Sequence, residues 1–253
     1  MITGLMLTMG SLLFIMLLLL VYFSKQRFLS IRNKIYRYML IVEAILIVSE
    51  IVATLLVGYC NNDFINLLIY RIHWSTGIVW FSLLYYYSIV FISDIKKDNL
   101  WQVMTYNKKT KVISIIFIIL FLGYFIVPFE KLDPSAISYI PGPAAYSVFS
   151  FCALSVFLII IYIFKHGKGA SFRTKLSVWL MIIELCIVFG LQIAFPYVAI
   201  SAIGAAVQMF FLYFNIENPD LKIIKELETV RDDIERSNRA KSDFLSNMSH
   251  EIR

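Results

Sequence analysis

Seven apolar stretches, at roughly residues 3–23, 38–58, 75–93, 112–129, 145–164, 176–195 and 197–215, leave this chain few ways to fold. About 17–25 apolar residues are what a helix needs to cross the hydrocarbon core of a bilayer. The pattern predicts an all-α membrane protein built on a seven-transmembrane helix bundle. Little more than Phe195-Pro196-Tyr197 separates the last two stretches, which predicts a tight helical hairpin bent at Pro196. Composition agrees: 60% of residues are hydrophobic and 16% charged, whereas soluble domains carry about 25% charged residues. The polar residues concentrate after residue 216, so two environments are implied, a bilayer and then water.

The basic residues orient the bundle, because Lys and Arg collect on the cytoplasmic side of a membrane. Loop 24–37 carries Lys25, Arg27, Arg32, Lys34 and Arg37, and loop 94–111 carries Lys96, Lys97, Lys108, Lys109 and Lys111. Loop 165–175 adds Lys165, Lys168, Arg173 and Lys175, while the opposite side has only Arg71 and Lys131. Fourteen against two, alternating from loop to loop, places the N-terminus outside and the tail in the cytoplasm. The net charge of +6 is therefore a topology signal, and no nucleic-acid partner is expected. Residues 1–23 have no basic n-region and no small-x-small cleavage site, so they are expected to stay as the first span.

Cys60, Cys152 and Cys186 are scattered without a CxxC pair, which argues for neither a disulfide framework nor a metal site. His73 is predicted at the outer end of span three; a single histidine makes a poor metal site, and none is expected. His166 lies in an inner loop and is assigned no role.

Ionisable groups inside a membrane are costly and are functional candidates by default. Glu43 and Glu50, seven apart on span two, share a helix face; Glu184 lies on span six, and Gln192 and Gln208 add amides on spans six and seven. These five are the sensor candidates. They could bind a cation, protons or a ligand, or simply hydrogen-bond between helices. Span seven also reads small-xxx-small, through Ala202 and Ala206 and through Ser201 and Ala205, which allows close backbone approach. Span three is aromatic, with Trp74, Trp80, Phe81, Tyr85, Tyr86, Tyr87 and Phe91. Tyr85 to Tyr87 are expected as interface anchors, the alternative being a pocket for an apolar signal molecule. No lysine falls inside a span, which excludes a retinal Schiff base.

Beyond span seven, Asn218-Pro219-Asp220 fits N-cap, first helical position and first-turn acid. Ile223, Leu227, Val230 and Ile234 then step by 4, 3 and 4, and Phe244 and Met248 continue the frame after polar layers at Ser237 and Lys241. That heptad seam predicts a cytoplasmic parallel coiled-coil helix over 219–253 that pairs two copies of the chain. His250, two residues after the seam position Met248, faces outward in this frame and stands next to Glu251. An exposed neutral imidazole beside a carboxylate can act as a nucleophile.

At this point the terminal "KSDFLSNMSHEIR" resembles the phosphoacceptor motif of bacterial membrane-bound sensor histidine kinases. Phe244, Leu245, Met248, Ser249, His250, Glu251, Ile252 and Arg253 match it over about 13 residues of 253. The resemblance implies that His250 accepts the γ-phosphoryl group of ATP and passes it to an aspartate on a response regulator receiver domain. It implies that Glu251 orients the ring and takes its proton. It also implies a multi-pass protein of a bacterial plasma membrane, with residues 1–216 as sensor, 217–240 as signalling linker and 241–253 as the start of the phosphoacceptor segment. The family's Thr-Pro, second helix and ATP-binding domain do not occur in these 253 residues. No cofactor is therefore expected on this chain, ATP and Mg²⁺ belong to the complete kinase, and the chain alone is expected to be inactive. Two alternatives remain at this level: a truncated membrane receptor or dimerisation partner, and a small transporter that uses the intramembrane glutamates.

Overall fold

The computed structural model describes residues 2–24, 30–59, 63–128, 142–195, 200–214 and 227–242. Among these there is no strand. Eight helices run α1 Ile2–Ser24, α2 Ile31–Tyr59, α3 Asp63–Ser93, α4 Leu100–Met104, α5 Lys108–Tyr124, α6 Pro143–His166, α7 Phe172–Ala194 and α8 Ile200–Leu212. A further helix, α9, covers residues 227–242. The chain divides into two compact units, residues 1–216 and 217–253.

Each of the seven predicted stretches carries a helix, but they are not equivalent. Five helices are long and apolar enough to span a bilayer: α1, α2, α3, α6 and α7. α5 has 17 residues and α8 has 13, or about 25 and 20 Å at 1.5 Å per residue. Two helices also begin well before their apolar stretches. α2 starts at Ile31 instead of residue 38, and α3 at Asp63 instead of 75. Hydropathy marks where a helix enters lipid; the hydrogen-bonded turn continues beyond that point as long as a cap or a breaker does not stop it.

Local chemistry sets several of the ends. Asn99, Asn107 and Ser171 cap α4, α5 and α7, each accepting the N–H three residues on. Pro143 opens α6 at a position where a missing N–H costs nothing. α3 ends at Ser93; Asp94 follows with a φ of 46° that turns the chain left-handed, and the N–H of Ile95 reaches back to the Val90 carbonyl at 3.3 Å. The C-terminal end of α5 is closed from another helix. Arg71 on α3 donates to the carbonyls of Tyr124, Phe125 and Val127 at 3.0–3.2 Å, satisfying orphan acceptors that an α-helix leaves at its C-terminus.

α3 lies at the centre of the residues 1–216 unit. Its span is 61% buried, against 28–44% for the other four spanning helices, and it packs on α2, α5, α6 and α7. α1 meets both α2 and α8. The aromatic run of α3 explains its position. Trp80, Tyr85, Tyr86 and Tyr87 are 1–3% exposed, so the tyrosines are not the lipid-interface anchors expected from sequence. The Tyr86 hydroxyl donates to Ser114 on α5 at 2.7 Å, and Tyr87 packs its ring toward Tyr36 of α2. Tyr36 in turn donates to the Met209 carbonyl of α8 at 2.9 Å. A buried tyrosine needs such a partner for its hydroxyl, and here the partners are other helices.

α7 and α8 approach very closely. A Cβ built on Gly204 would sit 2.5 Å from both methyls of Val188. Only glycine allows this spacing, and it adds Gly204 to the small residues Ala202 and Ala206, which are 0% and 1% exposed.

Candidate functional site

Five helices converge on one cavity of about 100 Å³. α2 contributes Glu43 and Leu46, and α3 contributes His73, Trp74, Gly77, Trp80 and Phe81. Phe149 and Cys152 come from α6, Val188, Phe189 and Gln192 from α7, and Ser201 and Ala205 from α8. The antiparallel packing of α2 on α3 sets the polar end. Ser49 meets His73, Leu46 meets Gly77, and one turn further Glu43 reaches the wall that holds Trp80.

Much of the wall is aromatic. Ring centroids run Trp74 to Phe149 at 5.6 Å, Phe149 to Phe189 at 6.3 Å, Phe189 to Phe81 at 5.7 Å and Phe81 to Trp80 at 5.1 Å. Most of these pairs meet edge to face, an arrangement rings prefer. The chain of contacts crosses α3, α6 and α7.

Three polar side chains in the wall have distinct situations. Gln192 is occupied: its Oε1 accepts the N–H groups of Ile200 and Ser201 at 3.1 and 3.0 Å. It caps the first turn of α8 from α7, a structural duty for a residue that sequence marked as a sensor candidate. His73 is held by Nδ1, 3.1 Å from Ser49 Oγ and 3.3 Å from the Leu46 carbonyl. A carbonyl only accepts, and Ser49 gives its own proton to that same carbonyl at 2.7 Å. Nδ1 therefore carries the hydrogen, and in the neutral ring the lone pair belongs to Nε2. Glu43 is 0% exposed, and among the described residues neither of its carboxyl oxygens has a hydrogen-bond partner. Burying such a group unsatisfied is unfavourable, so this position calls for an explanation.

The remaining candidates do not line the cavity. Glu50 is 3% exposed, on the same face of α2 two turns beyond Glu43, and both Glu43 and Tyr70 lie within its electrostatic range. Gln208 is fully buried on α8, with no partner for either amide atom among the described residues. Glu184 is half-buried on α7, with Oε2 unpartnered. Of the five candidates, then, the fold brings Glu43 and Gln192 together at one cavity. His250 and Glu251 lie outside the described residues.

Sequence reasoning named His73 but gave it no role. Starting span three at residue 75 left it at a helix end, whereas α3 begins at Asp63 and carries His73 ten residues into the helix. The signal that could have found it is the short connection between Tyr59 and Asp63, which makes α2 and α3 an antiparallel pair. Among the described residues no cluster of three or more His, Cys, Asp or Glu could hold a metal ion.

Comparison with protein-family models, with curated proteins and with solved structures found no match for this chain. What its own geometry defines is a class: an all-α membrane protein with a cavity walled by five of its helices.

Proposed function

We propose that this chain is the sensory part of a two-component sensor histidine kinase of a bacterial plasma membrane. In this reading α1, α2, α3, α5, α6, α7 and α8 are seven spans, with the N-terminus outside. The bundle detects an extracellular or intramembrane signal. The signal acts by binding two packings of the bundle with different affinity. The helix over 219–253 pairs two chains and relays the change to His250, with Asn218-Pro219 and the polar layers at Ser237 and Lys241 as the places where packing switches.

The chemistry at the end of the relay is a phosphoryl transfer. A ring nitrogen of His250 attacks the γ-phosphorus of ATP held by the catalytic domain of the complete kinase, and ADP leaves. Glu251 takes the ring proton, which restores a neutral phosphoimidazole. The phosphoryl group then moves to an aspartate of a receiver domain. Nothing in residues 1–253 resembles a nucleotide-binding loop, so the chain contributes the acceptor and the control, not the ATP site.

The observation that carries this reading is the sequence "KSDFLSNMSHEIR" placed after a heptad helix. The exposed apolar stripe of α9 supports the pairing: Leu227, Val230 and Ile234 are 63%, 54% and 56% exposed on one chain. Such a stripe is buried only against a partner. The test uses the complete protein in membranes with γ-labelled ATP. The label is expected to be acid-labile, as a phosphoimidazole is, and to fall at least a hundredfold in His250→Gln. Acid-stable label, or undiminished label in that variant, would overturn the assignment.

A further inference from the structure

The proposed kinase leaves the signal unnamed, and the cavity wall supplies its chemistry. Glu43 lines the cavity with no exposed surface and, among the described residues, no partner for either oxygen. His73 is pinned through Nδ1, and among the described residues both of its hydrogen bonds run through that nitrogen, which leaves Nε2 for a ligand. The wall thus offers an acid and an acceptor, both suited to a donor, beside the indole N–H groups of Trp74 and Trp80, which have no partner among the described residues and can only donate. The rest of it includes five aromatic rings in continuous contact, whose faces attract a cation within about 6 Å.

We infer that this cavity is a binding site for a small organic ammonium ion, with Glu43 as counter-charge, His73 Nε2 as acceptor and the Trp74, Trp80, Phe81, Phe149 and Phe189 rings as the apolar and cation–π wall. The inference rests on the sensory reading of the bundle and gives it a ligand class. A bound ammonium ion resolves the unsatisfied acid, since a buried charge is tolerated when it is paired. An inorganic divalent cation does not fit, because it needs six or more oxygen ligands and the wall around Glu43 is mostly carbon. An anion would meet the acid. Volume sets the size. An apolar cavity of about 150 Å³ holds benzene, so one of about 100 Å³ takes a ligand on the order of five heavy atoms.

Glu43 and His73 come from α2 and α3, whereas Phe189 and Ala205 come from α7 and α8. A ligand between them bridges the α2–α3 pair to the α7–α8 pair, and α8 is the last helix before the tail. Occupancy would therefore change the packing of the helix that the proposed relay needs to move.

The test is thermal unfolding of the full chain in lipid nanodiscs at pH 7.5 with n-butylammonium. n-Butanol, of equal size and no charge, and butyrate, of opposite charge, serve as controls. The amine is expected to raise Tm by roughly 5–10 °C at about a hundred times its Kd, with butanol and butyrate giving less than a third of that. Glu43→Gln removes the counter-charge and should weaken amine binding at least tenfold without loss of the folded protein. Gly77→Leu keeps the acid but fills the cavity, because a Cβ at Gly77 meets only Leu46 at 3.8 Å, and it should abolish the shift. The inference is overturned if the amine gives no shift, if butanol matches it, or if both variants keep it. No phosphoryl transfer is read, so failure here leaves the assignment of His250 standing, and failure there leaves the amine site standing.

Discussion

Exposed leucines mean different things in the two units of this chain. On α1, Leu13 and Leu20 are 69% and 67% exposed, at the centre and toward one end of an apolar helix, where lipid is the surrounding solvent. On α9, Leu227 is 63% exposed beside charged neighbours, where water is the solvent. The first is content as it stands, because lipid tails are as apolar as leucine. The second is an unburied stripe, which a second chain would cover in the proposed pairing. Polar groups reverse the contrast. In residues 1–216, Glu43, Glu50 and Gln208 are buried, while on α9 the charges meet water and pair loosely along the helix. Arg236 and Asp233 are 3.9 Å apart, as are Arg239 and Glu235; such surface pairs contribute little.

Substitutions in both units test that difference. The largest effect is expected from Leu13→Arg. A charge near the middle of a spanning helix costs about 2.5–3.5 kcal/mol on insertion scales, so the insertion equilibrium constant of α1, read by glycosylation or protease mapping, should fall roughly a hundredfold. If Leu13→Arg inserts normally, the outer face of α1 is not in lipid. Next comes Gly204→Ala. The new methyl must displace Val188, whose branched side chain is stiff, and overpacking of this kind costs about 1–3 kcal/mol. Val188→Ala added to it should restore most of the lost thermal stability, and a purely additive pair would mean that the α7–α8 contact is not the cause. The smallest effect on the bundle is expected from Ile234→Ser on α9, within about 0.5 kcal/mol by thermal unfolding. The same variant should reduce disulfide capture between chains carrying a cysteine at Val230. Ser237→Leu with Lys241→Ile should increase it, because both polar layers then become apolar seam positions. Unchanged capture in both would remove the pairing role from α9.

Much of the fold was legible because hydropathy is a local property. Seven apolar stretches gave seven helices in the right order, and five pass as spans by length and composition. The short helix α4 inside the loop 94–111 was not anticipated. Its signal is Asn99 capping a single turn and a half, too short for any period to register. The site was half legible. Intramembrane polarity singled out Glu43 and Gln192, but the duty of Gln192 as a cap for α8 depends on how the α7–α8 hairpin folds back. Tyr85 to Tyr87 look like an interface belt by position alone; only packing shows them turned inward.

The sequence by itself determined what each segment is dissolved in, since the free energy of placing a residue in lipid or water depends on that residue and its near neighbours. It also carries, in thirteen terminal residues, the resemblance on which the functional proposal stands. Which residues meet was decided by the tertiary structure. Glu43, His73, Phe149, Phe189 and Ser201 come from five helices and share one cavity. No window of sequence contains that juxtaposition, because it follows from helix rotation and close approach, set at points such as Gly204 against Val188.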